Sequence, residues 1–230
     1  MFPSIAPPPT LVETVYSYIK SDIASSYLKP DEKINLRQLS SRYQVSETPI
    51  KQALNRLVSE GLIISVPRKG MRVRKISPQE IEELFDIRLM LDTFFIAPVI
   101  DTICGDVILQ SRMQDIIQEH IRQVRQAATP LDYDTIYQLD NQFHELYIMA
   151  SGNQKAVDIY HQLNSHVYST YVYLRQTVDK TLEGAMEHQE ILDAILEKDP
   201  GKVHEKVTVH IENARKSVCP ILQRLGDNEV

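Results

Sequence analysis

From Ser77 onward the apolar residues of this chain recur at helical spacing with no strand-like alternation, and the two runs that read as strands, residues 62–66 and 71–74, lie together just before that point. The pattern predicts a mainly α protein carrying one small hairpin. Breaks at Gly105, Thr129-Pro130, Gly152, residues 177–180 and Pro200-Gly201 divide the helical region into about six helices, whose default packing is a bundle. An extra turn over residues 131–135 brings the count to seven. The absence of Trp and the 7 Gly among 230 residues fit this class, and the length suits one large domain or two small ones. No uncharged apolar run reaches the roughly 18 residues of a membrane span. The start, MFPSIAPPPT, lacks the basic segment and apolar run of a secretory signal. Cys104 and Cys219 form no CxxC pair, which excludes a disulfide scaffold or a thiolate zinc site and makes a reducing cytoplasm the expected compartment.

The net charge of −6 argues against nucleic acid until the chain is cut at Ile76. Residues 1–76 hold 12 Lys and Arg against 6 Asp and Glu, whereas residues 77–230 hold 13 against 25 together with all seven histidines. A basic module that meets a polyanion is therefore joined to an acidic module with another task.

Residues 1–9, with Pro7, Pro8 and Pro9, form an extended, poorly ordered lead-in. Thr10 and Glu13 make a capping box for a first helix with apolar positions Leu11, Val15, Tyr18, Ile19 and Ile23. Lys29-Pro30-Asp31 breaks it, and Asn35 caps a short second helix carrying Leu36 and Leu39. After the turn Tyr43-Gln44-Val45, Ser46 caps a third helix with apolar face Ile50, Ala53, Leu54 and Leu57, which Gly61 stops. A basic hairpin turning at Pro67-Arg68-Lys69-Gly70 follows. This order, over residues 10–76, is that of a winged helix-turn-helix. Its third helix would enter the major groove, so Ser46, Glu47, Thr48, Lys51 and Gln52 are candidate DNA contacts, with Arg37 beside them and Arg68, Lys69, Gly70 and Arg72 on the wing.

These residues carry a resemblance. Leu28-Lys29-Pro30, Leu36-x-x-Leu39-Ser40, the run from Val45 to Leu54, Leu57, Glu60-Gly61-Leu62 and Gly70 resemble the GntR family of bacterial repressors over about forty residues. The third helix of that family usually begins Val-Ser-Arg-Thr-Pro-Val-Arg-Glu-Ala-Leu. Here Glu47 and Lys51 replace the two arginines, Gln52 replaces the glutamate, and Asp31 replaces the usual glycine after Pro30. The scaffold positions match and the base-reading positions differ, so the family's usual operator is not implied. Glu47 has no proton to give guanine; it either accepts a hydrogen bond from cytosine or contacts no base.

Residues 77–225 form the second module, opened by the helix start Ser77-Pro78-x-Glu80, and 226–230 a tail. Its informative residues are polar ones within apolar stripes. Arg88 lies in the line Ile81, Leu84, Phe85, Leu91, Phe95, with Asp92 one turn on. Asp140 and His144, an i, i+4 pair, flank Ile136, Leu139, Phe143 and Tyr147. His188 continues Ala185, Leu192 and Ile195, and His210 continues Val203, Val207, Ala214 and Val218. Burying such groups unpaired costs several kcal/mol each. One carboxylate and three imidazoles satisfy one another around a divalent metal, with Zn²⁺ first and Ni²⁺ or Mn²⁺ as alternatives. His120, His161, His166 and His204 lack that combination and read as surface residues. Glu145 and Glu187 are expected to face elsewhere on their helices.

Arg88-x-x-Leu91-Asp92, Asp140-x-x-x-His144, Gly152-Asn153, His188 and His210 resemble the effector domain of the fatty-acid-regulator, or FCD, branch of the same family. The resemblance implies metal binding by Asp140, His144, His188 and His210 at the base of a cavity, with a small carboxylate completing the coordination and pairing with Arg88. Asp92 stands where glutamate is commoner. Tyr137, Tyr168, Tyr171, Arg175 and Asn213 are further candidates for the cavity wall. The expected protein is a homodimeric regulator, a repressor by resemblance, that binds a roughly palindromic operator under the control of a small organic acid. Two alternatives stay open at this point: a metallohydrolase with an N-terminal targeting module, and a constitutive DNA-binding protein with a structural metal.

Overall fold

The computed structural model describes residues 9–127, 132–163, 172 and 176–227, and the chain divides into two compact units, Met1–Lys75 and Ile76–Val230. Most of the predicted lead-in, Tyr168, Tyr171 and Arg175 of the predicted cavity wall, His166, and residues 228–230 of the tail lie outside the described residues.

In the first unit, α1 (Leu11–Ala24) starts with a full capping box: the Thr10 amide donates to Glu13 Oε2 at 2.6 Å and the Glu13 amide donates to Thr10 Oγ1 at 3.3 Å. The Asn35 side chain accepts from the Arg37 and Gln38 amides to open α2 (Leu36–Tyr43). Gln44, in the left-handed region at φ 55°, turns the chain into α3 (Glu47–Ser59). Ser46 holds the N-cap position of α3, but its hydroxyl makes no capping bond. Gly61, at φ 79°, ends that helix in the conformation glycine adopts without strain. Val15, Ile19, Ile23, Leu39, Ile50, Leu54 and Leu57 pack with Leu62 and Val73 into the core, while Leu11 and Tyr18 are exposed.

β1 (Ile63–Val66) pairs antiparallel with β2 (Gly70–Val73), with Ile63 opposite Val73 and Val66 opposite Gly70. Lys33 forms a bridge to Arg72, and the amides of Asp31 and Ile34 donate to the carbonyls of Val73 and Met71. The loop before α2 thus acts as a third edge that satisfies the outer strand of the wing.

Asp22 is buried on α1 and receives three bonds: Arg42 Nε at 2.8 Å, Arg42 Nη2 at 2.9 Å and the Tyr43 hydroxyl at 2.7 Å. They tie α1 to the end of α2. Asp22→Ala removes all three and leaves the half-buried Tyr43 hydroxyl without its acceptor, so it lowers stability by about 2–3 kcal/mol. Urea unfolding followed by far-UV circular dichroism measures this, and a loss under about 0.5 kcal/mol would reduce the network to a solvated surface pair.

The second unit contains seven helices among the described residues: α4 (Pro78–Phe94), α5 (Ile96–Gly105), α6 (Val107–Gln126), α7 (Asp132–Met149), α8 (Gln154–Gln162), α9 (Val178–Leu196) and α10 (Pro200–Asp227). The count differs from six because residues 77–105 are two helices broken at Phe95. Pro98 lacks an N–H, and its ring clashes with the carbonyl of residue 94 in a continuous helix. Residues 132–135 belong to α7 and make no separate turn. α10 runs on to Asp227, past the domain end expected at residue 225. α10 packs on α4 and α9, α9 on α6, and α6 on α7, around Phe85, Ile117, Phe143, Ile195 and Ile211. No helix among the described residues is long and apolar enough to cross a membrane.

Candidate functional site

The polar stripe residues of α4, α7, α9 and α10 meet in one cavity of about 310 Å³, within the size range of small-molecule sites. Arg88, Tyr137, Asp140, His144, His210 and Asn213 line it, and His188 lies directly behind, fully buried.

Three imidazoles converge by their Nε2 atoms. His144 Nε2 lies 3.1 Å from His210 Nε2 and 3.3 Å from His188 Nε2. Asp140 Oδ1 is 3.6 Å from His188 Nε2. Donors bound at about 2.0–2.1 Å to one ion are spaced about 2.9–3.4 Å apart in octahedral or tetrahedral arrangements, so the histidine spacings fit a metal. Protons fit the cluster less well. His210 Nδ1 faces Glu187 Oε2 at 2.8 Å, which places the ring proton there and leaves the Nε2 lone pair pointing inward. One N–H on His144 cannot serve both neighbouring nitrogens. Burial holds His144 and His188 well below the usual histidine range, in the neutral form that ligates metal. His188 is fixed by a stacked Phe143 ring, with centroids 4.1 Å apart.

On α4, Arg88 is 3% exposed and its Nη2 lies 3.9 Å from Asp92 Oδ2. Asp92 is buried, and desolvation outweighs the nearby Arg88 and pushes its carboxyl up to about 6. Its backbone carbonyl accepts from the Tyr147 hydroxyl at 2.7 Å. A guanidinium held in this way, beside a lone-pair cluster, can receive a carboxylate in bidentate fashion. Asn213 is exposed and donates to Glu187 Oε1 at 2.7 Å.

Two expectations are corrected. Glu187 does not face elsewhere: α10 packs on α9 closely enough for Glu187 to reach across to His210 and Asn213. Both of its oxygens are thereby engaged, so it orients a donor and is not placed to act as a hydrolytic base. His120 is not a surface residue: it is 2% exposed on α6 and lines the cavity. His161 and His204 are exposed, and Glu145 pairs with His161 at 2.8 Å.

In the first unit Arg37, Ser46, Thr48, Lys51, Gln52, Arg68, Lys69 and Gly70 are exposed. Glu47 is paired along α3 with Lys51 at 3.0 Å, so the charges of these two residues offset each other on the helix surface. Arg68, at φ 63°, shapes the wing tip. Arg72 donates to the Asp31 carbonyl at 2.8 Å and so braces the loop. Lys33 was not singled out by its sequence context, yet its side chain runs beside Gly70, where an added Cβ would sit 3.7 Å from Lys33 Cε.

A winged helix followed by an all-α unit of this kind is the architecture of a transcription regulator. Residues 11–73 match the model of bacterial regulatory proteins of the gntR family and residues 83–213 match the FCD domain; the chain belongs to the GntR family, in its FCD branch. It is 24% identical to the HTH-type transcriptional regulator YdhC of Bacillus subtilis over 215 residues, covering 93% of each chain. It is 25% identical to the HTH-type transcriptional repressor GlaR of Escherichia coli over 217 residues, covering 91% of this chain and 94% of that one. Among solved structures, E. coli McbR/YncC superposes with a TM-score of 0.64 at 17% identity, over 94% of this chain and 99% of that one. The metal-free FCD domain of TM0439 superposes with a TM-score of 0.51 at 22% identity, over 65% of this chain and 98% of that one.

Proposed function

We propose that the protein is a repressor that binds a roughly palindromic operator as a homodimer and releases it when a small carboxylate binds at a divalent metal in the helical unit. The observation that carries this reading is the meeting of three buried, inward-facing Nε2 atoms and a buried arginine in one cavity. His144, His188 and His210, with Asp140, would hold the metal, Zn²⁺ before Ni²⁺ or Mn²⁺. The metal would supply a Lewis-acid site for one carboxylate oxygen. Arg88 would pair with the carboxylate while Tyr137 and Asn213 contribute to the wall around it and Asp92 stands behind Arg88. The repressors GlaR and RspR of E. coli, among the relatives, favour repression over activation.

Control requires the effector to bind the DNA-competent and DNA-released states with different affinity. The test is operator binding after site selection, repeated with a panel of small carboxylates on metal-loaded and chelator-stripped protein. Release by a carboxylate that depends on metal is expected; DNA affinity indifferent to every acid and to the chelator would overturn the sensor reading.

On the DNA side, Ser46, Glu47, Thr48, Lys51, Gln52 and Arg37 would face the major groove and flanking backbone, and Arg68, Lys69, Gly70 and Arg72 would form the wing contact. Lys51→Ala is expected to weaken operator binding and to lower the salt dependence by about one unit of slope where Lys51 meets a phosphate. If Lys51 meets a base, the slope holds and specificity relaxes at one position. A fluorescence-anisotropy salt titration with an unchanged slope, affinity and site preference would remove Lys51 from the interface.

A further inference from the structure

His120 stands outside the donor set of that reading, and its surroundings are unusual for a core residue. Its neighbours on α6, Met113, Ile116, Ile117 and Val124, are buried and apolar, and His120 itself is 2% exposed. Both of its ring nitrogens are shielded from solvent and neither has a hydrogen-bond partner among the described residues. Leaving such a group unmet costs about 1–3 kcal/mol, which an apolar side chain at the same position would avoid. Burial lowers the pKa of the ring and keeps it neutral, with one nitrogen lone pair available. Its centroid is 5.6 Å from that of His188, and donor atoms of His120, Asp140 and His188 lie within 4.8 Å of one another, just as those of His144, His188 and His210 do.

We infer that His120 is a further metal donor of this centre: with Asp140 and His188 it forms a second three-donor set that shares His188 with the first, and an ion that draws the two sets together gains five protein groups instead of four. The inference rests on the metal reading above and deepens it. Asp140 is the hinge of the arrangement, since it neighbours His188 on one side and His120 on the other. The two sets are separate groups that meet at His188, so the ion must pull them closer; five nitrogen and oxygen donors, with a position left for an effector oxygen, then exceed the four that a tetrahedral zinc site takes. With His120 bound, the preference moves from the Zn²⁺ of the four-donor reading to an ion that accepts six, such as Ni²⁺ or Mn²⁺.

The test uses the full chain, stripped of metal and titrated with Co²⁺, whose visible absorption is intense when four-coordinate and weak at higher coordination. His120→Phe keeps a ring beside His188 and removes both nitrogens. The metal-free variant is expected to melt at the same temperature as the parent or higher, because two unmet polar atoms are gone. Its Co²⁺ affinity, measured against a competing chelator, is expected to fall tenfold or more, roughly the scale seen for supporting residues of metal sites, and its bound Co²⁺ to absorb more strongly than in the parent. Opposite signs for stability and affinity are what a packing role does not produce. If the phenylalanine chain does not fold, His120→Gln, which keeps bulk and polarity, is read for the same loss of affinity. Unchanged affinity and spectrum in the folded variant would overturn the inference and leave His120 as a buried packing residue. A parent chain that takes up no Co²⁺ would overturn the metal reading itself, and this inference with it.

Discussion

His188→Ala is expected to leave purification without stoichiometric metal. His188 is fully buried on α9, belongs to both donor sets, and has its Nε2 3.3 Å from His144 Nε2 and 3.6 Å from Asp140 Oδ1. Structural zinc sites bind with about 10–16 kcal/mol, which over four donors is roughly 2.5–4 kcal/mol each, or a loss on the order of 10²- to 10³-fold for one ligand. The stacked Phe143 loses its partner as well, so the remaining donors also lose their alignment. Metal at about a hundredfold over its Kd stabilises the parent by about 2.7 kcal/mol through mass action, and the variant should show no such gain. Elemental analysis and paired melting curves with and without metal measure both effects. Full occupancy in the variant would sink the assignment of the centre.

What the sequence reveals of this site follows the boundary between local and long-range information. His188 and His210 stand out because each continues an apolar stripe on its own helix, and Asp140 with His144 because i, i+4 spacing sets them side by side. His120 also continues a stripe, Met113, Ile117, Val124, a signal of burial that its reading as a surface residue passed over. What was missing was a partner on α6; the groups it neighbours, Asp140 and His188, sit on α7 and α9. Glu187 is adjacent to His188 in sequence and so points about 100° away around the helix. It joins the site only because α10 brings His210 and Asn213 to that side. Helix-to-helix register of that kind has no signature in one chain. The bridge of Lys33 to Arg72, which completes the wing, is hidden for the same reason. The break at Phe95, by contrast, had its signal in Pro98.

Arg88→Met is expected to abolish the response to carboxylates while metal content stays at the parent level, which separates the two halves of the proposed site. Arg88 lies 3% exposed on α4 and lines the cavity beside His144 and His210. Methionine keeps most of the volume and removes the charge. The carboxyl of Asp92, already raised to about 6 by burial, is lowered chiefly by Arg88, so in the variant it shifts further toward the neutral form. Proton uptake by Asp92 therefore offsets the loss of its cation, and the interaction lost to the effector is that of the guanidinium with the incoming acid. A buried charge pair of that kind contributes about 2–5 kcal/mol, so a carboxylate that saturates the parent should bind the variant some 30-fold to several thousand-fold more weakly. The readouts are the carboxylate-induced melting shift, lost in the variant, and operator release, also lost, so that the chain holds DNA constitutively. Arg88→Lys, which keeps the charge without the planar fork, should fall between the two. A full carboxylate response in Arg88→Met would move the anion site away from α4 and leave the cavity with its metal donors alone.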